Sequence, residues 1–265
     1  MLGNCFSMDW TLQFTERDMR KEPDLSTTGE LLSLSDDQRR QVLNQLEKHG
    51  GIGRHTAEIV FSEGGRLHDF AVYPEVLRPI GMVSFYLASY LYKEKQWYAG
   101  KSALDIGCGS GIQGITMAVG GAKEIIMADI SPQAVANTKE NIERFRLSNK
   151  ARVIQSDLFE NIQDTADVIV FNHPFFPAEP IKGVPLSISM LDSGKLIHRF
   201  LEDSKSHLRA GGCIIMPYLQ SAGETNDPEI QAPKHGFKVS VVFRQNGYTG
   251  WQKGLISIYH LELER

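Results

Sequence analysis

The stretch Leu104-Asp105-Ile106-Gly107-Cys108-Gly109-Ser110-Gly111 is a glycine-dense turn that directly follows a short apolar run. A strand leading into such a turn, with a helix after it, lets backbone amides approach a ligand where a Cβ atom would be in the way. The overlapping stretch Gly109-Ser110-Gly111-Ile112-Gln113-Gly114 matches the G-x-G-x-x-G pattern of dinucleotide-binding folds. By itself the turn predicts a ligand with a polar group, and a purely structural glycine turn remains an alternative.

Three acidic residues lie at the ends of successive predicted strands. Asp105 precedes the first glycine, where NAD-binding folds normally have an apolar residue, and a buried carboxylate there accepts hydrogen bonds from loop amides or from a ligand ammonium group. Asp129 follows about 20 residues later, the spacing at which an acid binds ribose hydroxyls. Asp157, with Leu158 after it, is placed to hold an adenine. Together the three acids predict a ligand crevice at the carboxyl ends of parallel strands.

From Ser102 onward, predicted strands alternate with helices, which is typical of a parallel sheet covered by helices. A cap and a first-turn proline, Ser131-Pro132, start one helix that runs to about Phe145, and a second spans Leu196–Leu208 and is ended by Arg209–Gly212. Two β-rich runs close the chain and predict a hairpin rather than a crossover. The predicted strands are Ser102–Ile106, Glu124–Asp129, Arg152–Gln155, Val168–Phe171, Gly212–Pro217, Phe237–Arg244 and Leu255–Leu263.

The region before residue 95 has a different pattern. Residues 1 to about 30 show no period and predict an arm. Ser35 is placed to cap a helix over Asp36–Lys48 with Val42, Leu43 and Leu46 as its apolar stripe. Strands at Thr56–Phe61 and Leu67–Tyr73 predict a hairpin around Ser62–Gly65, and Met82–Tyr92 predicts a further helix. We therefore divide the chain into an N-terminal arm, helix and hairpin region, 1–94, and a ligand-binding domain, 95–265.

Composition narrows the class of protein. Hydrophobic residues make up 42% of the 265 residues and the formal net charge is −4. These values are typical of a soluble globular protein and disfavour a dedicated nucleic-acid binder, which carries a basic surface to neutralise phosphates. No apolar run approaches the roughly 18 residues of a membrane span, and Met1 to Lys21 lacks the apolar core of a secretory signal.

Cysteine and histidine usage predicts no metal site. Cys5, Cys108 and Cys213 have neither metal nor disulfide spacing, which suits a reducing cytoplasm. Loop packing explains Cys108 better than nucleophilic chemistry. Four scattered histidines also lack the sequence spacing of metal ligands: His198, His207, His235 and His260.

Taken together, these motifs resemble class I S-adenosylmethionine-dependent methyltransferases over roughly residues 95–265. The resemblance implies an α/β fold with a Rossmann-like seven-stranded sheet whose last strand is antiparallel, here with a small N-terminal helix and β-hairpin region. It implies S-adenosyl-L-methionine as cofactor, with its methionine half at Asp105 and the glycine loop, its ribose at Asp129 and the adjoining Ile130, and its adenine at Asp157 and Leu158. The remaining residues expected at the cofactor are Gly107, Cys108, Gly109, Gly111 and Asn172.

A second resemblance lies at Asn172-His173-Pro174-Phe175, which is similar to the Asn-Pro-Pro-Tyr/Phe motif of methyltransferases that modify planar nitrogens: adenine N6, guanine N2 or the glutamine amide. Such a nitrogen shares its lone pair with a π system and is a poor nucleophile. Hydrogen bonds from its N–H groups to the Asn172 side chain and to the residue 173 carbonyl return electron density to nitrogen. Stacking on Phe175 fixes the angle of attack, so positioning supplies much of the rate.

His173 departs from this motif, because the family usually has proline there. Pro174 still favours an extended conformation at residue 173, so that carbonyl can point the same way. The departure leaves two roles open for His173, as a general base or as a shape-filling and hydrogen-bonding residue. A proline-containing turn after a buried strand remains the structural alternative for the whole tetrapeptide.

Two looser resemblances extend the second one. Tyr73–Pro79 is similar to the proline-bracketed segment before the catalytic domain of glutamine N5-methyltransferases, and Leu191–Gly194 to the stretch after their active-site motif. The loop from Phe176 to Gly183 has the composition of a substrate lid.

We therefore expect a cytoplasmic enzyme that methylates a planar or amide-like nitrogen of a protein glutamine or a small metabolite, with no membrane partner. Three alternatives stay open: a methyltransferase of RNA or DNA bases, an inactive cofactor-binding partner subunit, and an NAD-dependent oxidoreductase.

Overall fold

The computed structural model describes residues 29–61, 64–79, 83–248 and 253–264. The predicted N-terminal arm therefore lies almost wholly outside the described residues, as do Ser62, Glu63 and Met82. Within these ranges the helices are α1 (Asp36–His49), α2 (Val83–Lys93), α3 (Ile112–Val119), α4 (Pro132–Arg144), α5 (Lys195–His207) and α6 (Pro228–Gln231). The strands are β1 (His55–Val60), β2 (Arg66–Val72), β3 (Ser102–Ile106), β4 (Glu124–Asp129), β5 (Ala151–Gln155), β6 (Ala166–Phe171), β7 (Leu208–Leu219), β8 (Phe237–Tyr248) and β9 (Lys253–Leu263).

Seven strands form one sheet in the order β5-β4-β3-β6-β7-β9-β8. The first five strands in this order, β5, β4, β3, β6 and β7, pair in parallel with their neighbours. Strand β9 is antiparallel to both of its neighbours, β7 and β8. This confirms the predicted α/β sheet with its antiparallel last strand. Because the chain leaves β3 toward β4 on one side and reaches β6 on the other, a crevice opens between β3 and β6 at the carboxyl ends of the strands.

A hydrophobic core covers each face of the sheet. On one face, α2, α3 and α4 pack over residues such as Met127 and Val170, and on the other α5 packs over Ile169 and Ile214. The apolar runs of β3 and β6 are buried along almost their whole length, as expected for parallel strands covered on both sides.

The N-terminal elements pack on this sheet. Ser35 caps α1 as predicted, in a capping box with Gln38. Strands β1 and β2 form the predicted antiparallel hairpin, which α4 holds through buried amide side chains. Asn141 Oδ1 accepts from the Ala71 amide at 2.8 Å and Asn137 Oδ1 from the Tyr73 amide at 2.9 Å. The boundary near residue 95 stays a prediction.

One local prediction was wrong. Arg209–Gly212 does not form a separate helix stop, because α5 ends at His207 and the residues belong to β7. The pairing of β6 and β7 shifts register there, and Gly211 adopts a φ of +78°, so the chain turns directly from helix into strand. The predicted apolar stripe of α1 is confirmed: Val42 is buried, and Leu43 and Leu46 pack against the same core while partly exposed. The helix also buries polar residues that the stripe did not predict: Gln41, Asn44, Gln45 and His49.

Candidate functional site

The glycine loop between β3 and α3 is held by hydrogen bonds from several elements. Gly107, Gly109 and Gly111 have φ values of +63°, +56° and +84°, a left-handed region that side chains disfavour. From α4, Thr138 Oγ1 donates to the Gly109 carbonyl at 2.9 Å, and Asn141 Nδ2 donates to the Ser110 carbonyl at the same distance. The loop is thereby fixed before any ligand binds.

Asp105 lies beneath this loop. Its side chain is 1% exposed, and Oδ2 accepts from the Gly114 amide, at the start of α3, at 2.8 Å. Burial raises the pKa of Asp105 to about 7, the Gly114 hydrogen bond opposes that shift, and the nearby Asp129 adds to it.

Asp129, at the end of β4, ties the glycine loop to the start of α4. Its Oδ2 accepts from the Gly109 amide and its Oδ1 from the Ser131 amide, both at 2.9 Å. Burial raises the pKa of Asp129, and these backbone hydrogen bonds counteract the shift. Each carboxylate oxygen keeps a further lone pair for a ligand hydroxyl.

The surroundings of the loop favour a cationic ligand group. The pKa of the buried Cys108 thiol is raised well above its ordinary value, mainly by burial and then by the charges of Asp129 and Asp105, so the thiol stays protonated. Its Sγ lies 3.4 Å from Thr138 Oγ1, a packing arrangement. The carboxylate of Asp129 at the cavity wall repels an anionic pyrophosphate such as that of NAD and attracts an ammonium or sulfonium group.

A cavity of about 570 Å³ opens above the loop and extends along the carboxyl ends of the strands. That volume suits a cofactor-sized ligand with part of a second one. The structure brings eleven of the predicted site residues together in its wall: Gly107, Cys108, Gly109, Asp129, Ile130, Asp157, Leu158, Asn172, His173, Pro174 and Phe175. Within the described part of the chain, Asp105 and Gly111 are not among the lining residues: Asp105 lies beneath the loop, and Gly111, the last glycine of the loop, is buried next to Thr138.

Asp157 and Leu158 occupy the far wall beside β5. The Asp157 carboxylate lies 3.2 Å from the guanidinium of Arg199, a cavity residue from α5. Leu158 is 6% exposed and has a φ of +48°. A left-handed leucine is strained and persists only where its surroundings hold it, a feature found often at ligand sites.

Asn172 follows β6 on the opposite side of the crevice. Its Nδ2 donates to Ser84 Oγ at 2.7 Å, and Gln113 Nε2 donates to the Ser84 carbonyl at 3.2 Å. The Asn172 Oδ1 atom is buried and has no hydrogen-bond partner in the described ranges. The α2 residue Ser84 thus fixes the amide so that an acceptor oxygen remains available. No local pattern indicates these roles of Ser84 and Gln113, since both contacts join distant segments.

His173 is 2% exposed and is held on several sides. Its ring stacks on Tyr218 at 5.8 Å with 9° between the planes, and the Phe175 ring meets it edge-on at 5.1 Å. Nε2 lies 2.7 Å from the Asn226 carbonyl, which only accepts, so Nε2 carries the proton. Burial lowers the pKa of His173 to about 4, and the ring is therefore neutral near pH 7.

The side chain of Asn226 holds the segment from Asn172 to Phe175 by hydrogen bonds from outside the cavity. Its Nδ2 donates to the Phe175 carbonyl at 3.1 Å and to the Asp192 carbonyl at 2.6 Å. These bonds supply rigidity that a proline at position 173 would otherwise provide.

Helix α1 also reaches the cavity, through Gln41 and Gln45. Sequence reasoning missed both, because polar residues on a helix are expected to face water. A usable signal was present: neutral amides recur at Gln41, Asn44 and Gln45, where a solvated face would carry charges.

The described residues include neither a metal-binding cluster nor a membrane-spanning helix. They contain no group of three or more His, Cys, Asp or Glu side chains placed to hold a metal ion. Among their helices, none has both the length and the apolar character needed to cross a membrane.

The family described as methyltransferase small domain matches residues 82–225, more than half of the chain. A Methanocaldococcus jannaschii protein described as a candidate protein N5-glutamine methyltransferase is 34% identical over 150 residues, which cover 54% of this chain and 74% of that protein. A release factor glutamine methyltransferase of Rhodopirellula baltica is 32% identical over 128 residues, covering 43% of each chain. The chain thus spans about three quarters of the first relative and less than half of the second.

Among solved structures, a T. thermophilus 16S rRNA N2 guanine methyltransferase in complex with AdoMet and guanosine aligns with a TM-score of 0.55 at 18% identity, over 80% of this chain and 51% of that one. At this identity the likeness shows the fold alone. With the family match over more than half of the chain, the seven-stranded sheet and the carboxylate-flanked glycine loop, we identify the chain as a member of the methyltransferase small domain family and an S-adenosylmethionine-dependent methyltransferase.

Proposed function

We propose that this chain transfers the methyl group of S-adenosylmethionine to the side-chain amide nitrogen of a glutamine in a protein. The observation that carries the proposal is the Asn172 Oδ1 atom, a buried hydrogen-bond acceptor without a partner in the described structure, in the same cavity as the glycine loop. A buried polar atom without a partner costs free energy, and an amide N–H of the acceptor removes that cost.

The residues of the cofactor half fit the ligand. In this proposal the loop from Gly107 to Gly111 holds the methionine half with Asp105 beneath it, Asp129 accepts from the ribose, and Asp157 with Leu158 holds the adenine. When bound, S-adenosylmethionine supplies an electrophilic methyl group on a sulfonium. The carboxylate of Asp129, which lines this end of the cavity, supplies negative potential for a cationic ligand.

The residues of the acceptor half act on the amide. Asn172 Oδ1 and the His173 carbonyl accept its two N–H groups, which raises the electron density on nitrogen, and Phe175 packs against its plane. A neutral His173 with a pKa near 4 is a weak proton acceptor at pH 7, so we assign it the role of holding the motif rather than that of a general base.

A protein acceptor is favoured over nucleic acid by two observations. The net charge of −4 opposes binding of a polyanion, and the first relative described above is a candidate protein glutamine methyltransferase. The intact acceptor geometry at Asn172 favours an active enzyme over an inactive partner subunit. We keep the cytoplasmic location as part of the proposal, supported by the buried free thiols of Cys108 and Cys213.

The test uses the chemistry of the product. We would incubate the enzyme and methyl-labelled S-adenosylmethionine with soluble protein from cells that lack this chain, then hydrolyse the protein in acid. Methylated glutamine amide releases its label as methylammonium, which becomes volatile methylamine when the hydrolysate is made alkaline, whereas a methylated base keeps its label on the base. We expect labelled methylamine; label in nuclease-sensitive material, or none in any fraction, would overturn the proposal.

A further inference from the structure

Helix α1 is attached to the acceptor half of the cavity. Gln38 Nε2 donates to the Ala222 carbonyl at 2.7 Å, and Ser221 Oγ donates to Gln41 Oε1 at 3.0 Å. Both partners directly follow β7, the strand next to β6, and Asn172 follows β6. The strand order therefore places α1 beside the acceptor motif and away from β4 and β5, whose ends carry Asp129 and Asp157.

Gln41 presents a second buried polar atom without a partner. The residue is 2% exposed and lines the cavity, and its Oε1 is occupied by Ser221. Its Nε2, which has two N–H groups, is buried without a hydrogen-bond partner in the described ranges. Buried polar groups in folded proteins are almost always paired. One wall of the cavity thus has an unused donor and another, at Asn172, has an unused acceptor.

We propose that Gln41 binds the carbonyl oxygen of the acceptor amide through Nε2 while Asn172 Oδ1 binds the N–H of the same amide, which makes α1 a specificity element for a primary carboxamide. The inference rests on the proposed function and adds a residue to it. A carboxamide has an acceptor oxygen and a donor nitrogen on one planar carbon, so its polar atoms match the unused donor of Gln41 and the unused acceptor of Asn172. A carboxylate presents only oxygens and leaves Asn172 Oδ1 facing a like charge.

The two contacts act at different stages of the reaction. When nitrogen forms its bond to the methyl carbon, the S–CH3 bond breaks, S-adenosylhomocysteine leaves with the electron pair of that bond, and the methylated nitrogen then loses one N–H proton to water. As the N–C bond forms, the amide loses resonance, so its oxygen becomes a poorer acceptor and its N–H a stronger donor. The Gln41 contact is therefore strongest in the ground state and contributes to acceptor binding, whereas the Asn172 contact strengthens toward the transition state. Loss of a contact of the first kind raises KM and does not lower kcat, whereas loss of a contact of the second kind lowers kcat.

The test compares Gln41→Met, which keeps a similar shape and removes the donor, with the wild-type enzyme in the methylamine-release assay at increasing concentrations of soluble protein. We expect the apparent KM for protein acceptor to rise about 10- to 100-fold, the usual effect of leaving a buried partner unpaired, with kcat unchanged within about twofold. Affinity for S-adenosylhomocysteine stays at the wild-type value. Ser221→Ala, which keeps the donor and removes its orienting bond, gives a smaller rise in KM.

The control is Glu47→Gln on the exposed side of the same helix, for which we expect wild-type kinetics. A wild-type KM in Gln41→Met, or a fall in kcat with KM unchanged, would overturn the role of Gln41. A parallel loss of kcat, cofactor affinity and melting temperature would also overturn it, because it indicates a structural role. Absence of methylamine release by the wild-type enzyme would instead overturn the proposed function, so the two failures are distinguishable.

Discussion

The two halves of the cavity differ in how their polar atoms are satisfied. In the cofactor half, both Asp129 oxygens and one Asp105 oxygen accept backbone amides within the loop and its flanking elements. In the acceptor half, Asn172 Oδ1 and Gln41 Nε2 have no partner in the described ranges. The cofactor half is therefore preorganised by its own hydrogen bonds, whereas the acceptor half keeps unpaired groups for a substrate.

The two halves of the cavity also differ in how far apart in the sequence their hydrogen-bonded residues lie. The loop partners of Asp105 and Asp129 are 9 and 20 residues away, whereas Ser84 is 88 residues from Asn172 and Ser221 is 180 residues from Gln41. A compact βαβ segment thus builds the cofactor half, and segments from both ends of the chain build the acceptor half. Substitutions in the two halves should change different kinetic constants.

The largest effect is expected in the acceptor half, for Asn172→Ala. Loss of the Oδ1 acceptor removes an interaction that strengthens in the transition state, so kcat should fall about 100- to 1,000-fold. Affinity for S-adenosylhomocysteine, measured by calorimetry, should stay nearly intact. The matched control is Asn149→Ala in an exposed turn, for which both constants should match wild type. An equal loss of turnover and cofactor affinity would show that Asn172 belongs to the cofactor half instead.

The next effect is expected in the cofactor half, for Asp129→Ala. This change removes the acceptor of the Gly109 and Ser131 amides and a negative charge near the loop, so affinity for S-adenosylhomocysteine should fall about 10- to 100-fold. At saturating cofactor, kcat should change much less. Asp203→Asn, an exposed carboxylate on α5, serves as control in the same titration. Unchanged affinity would contradict the assignment of Asp129.

The smallest effect is a difference in the pH dependence of stability. The pKa of Asp105 is raised from 3.8 to about 7, so the folded protein retains a proton that the unfolded chain releases, and stability is lost as pH rises from about 4 toward 7. The pKa of His173 is lowered from 6.5 to about 4, so the unfolded chain binds the proton, and stability is lost as pH falls through the same window.

Single substitutions can separate these two opposite dependences of the free energy of unfolding on pH. Asp105→Asn should remove the first and His173→Gln the second, each changing the pH-dependent part of the free energy of unfolding by about 1–2 kcal/mol between pH 5 and pH 7. Urea unfolding at several pH values measures both. Identical slopes in the two variants and the wild-type protein would contradict the burial that causes these shifts.

Much of the fold was predictable, because its signals are local. The glycine turn after β3, the cap and proline before α4 and the cap at Ser35 each lie within a few residues of the element that they define, and all three are present in the structure. The acids at the strand ends were found for the same reason. The buried polar side of α1 was missed, because periodicity alone does not show that neutral amides face a cavity.

By itself the sequence determined the α/β class, the strand that leads into the glycine loop and the chemical types of the candidate residues, since all of these follow from short-range pattern and backbone preference. Only the tertiary structure decided which of those residues reach the cavity. Asp105 lies under the loop because Gly114 and the packing of α3 hold it there, and His173 is neutral and fixed because Tyr218 and Asn226, distant in sequence, surround it. The burial of a side chain and the identity of its hydrogen-bond partners depend on contacts between segments that are distant in the sequence. Local sequence patterns do not reveal those contacts.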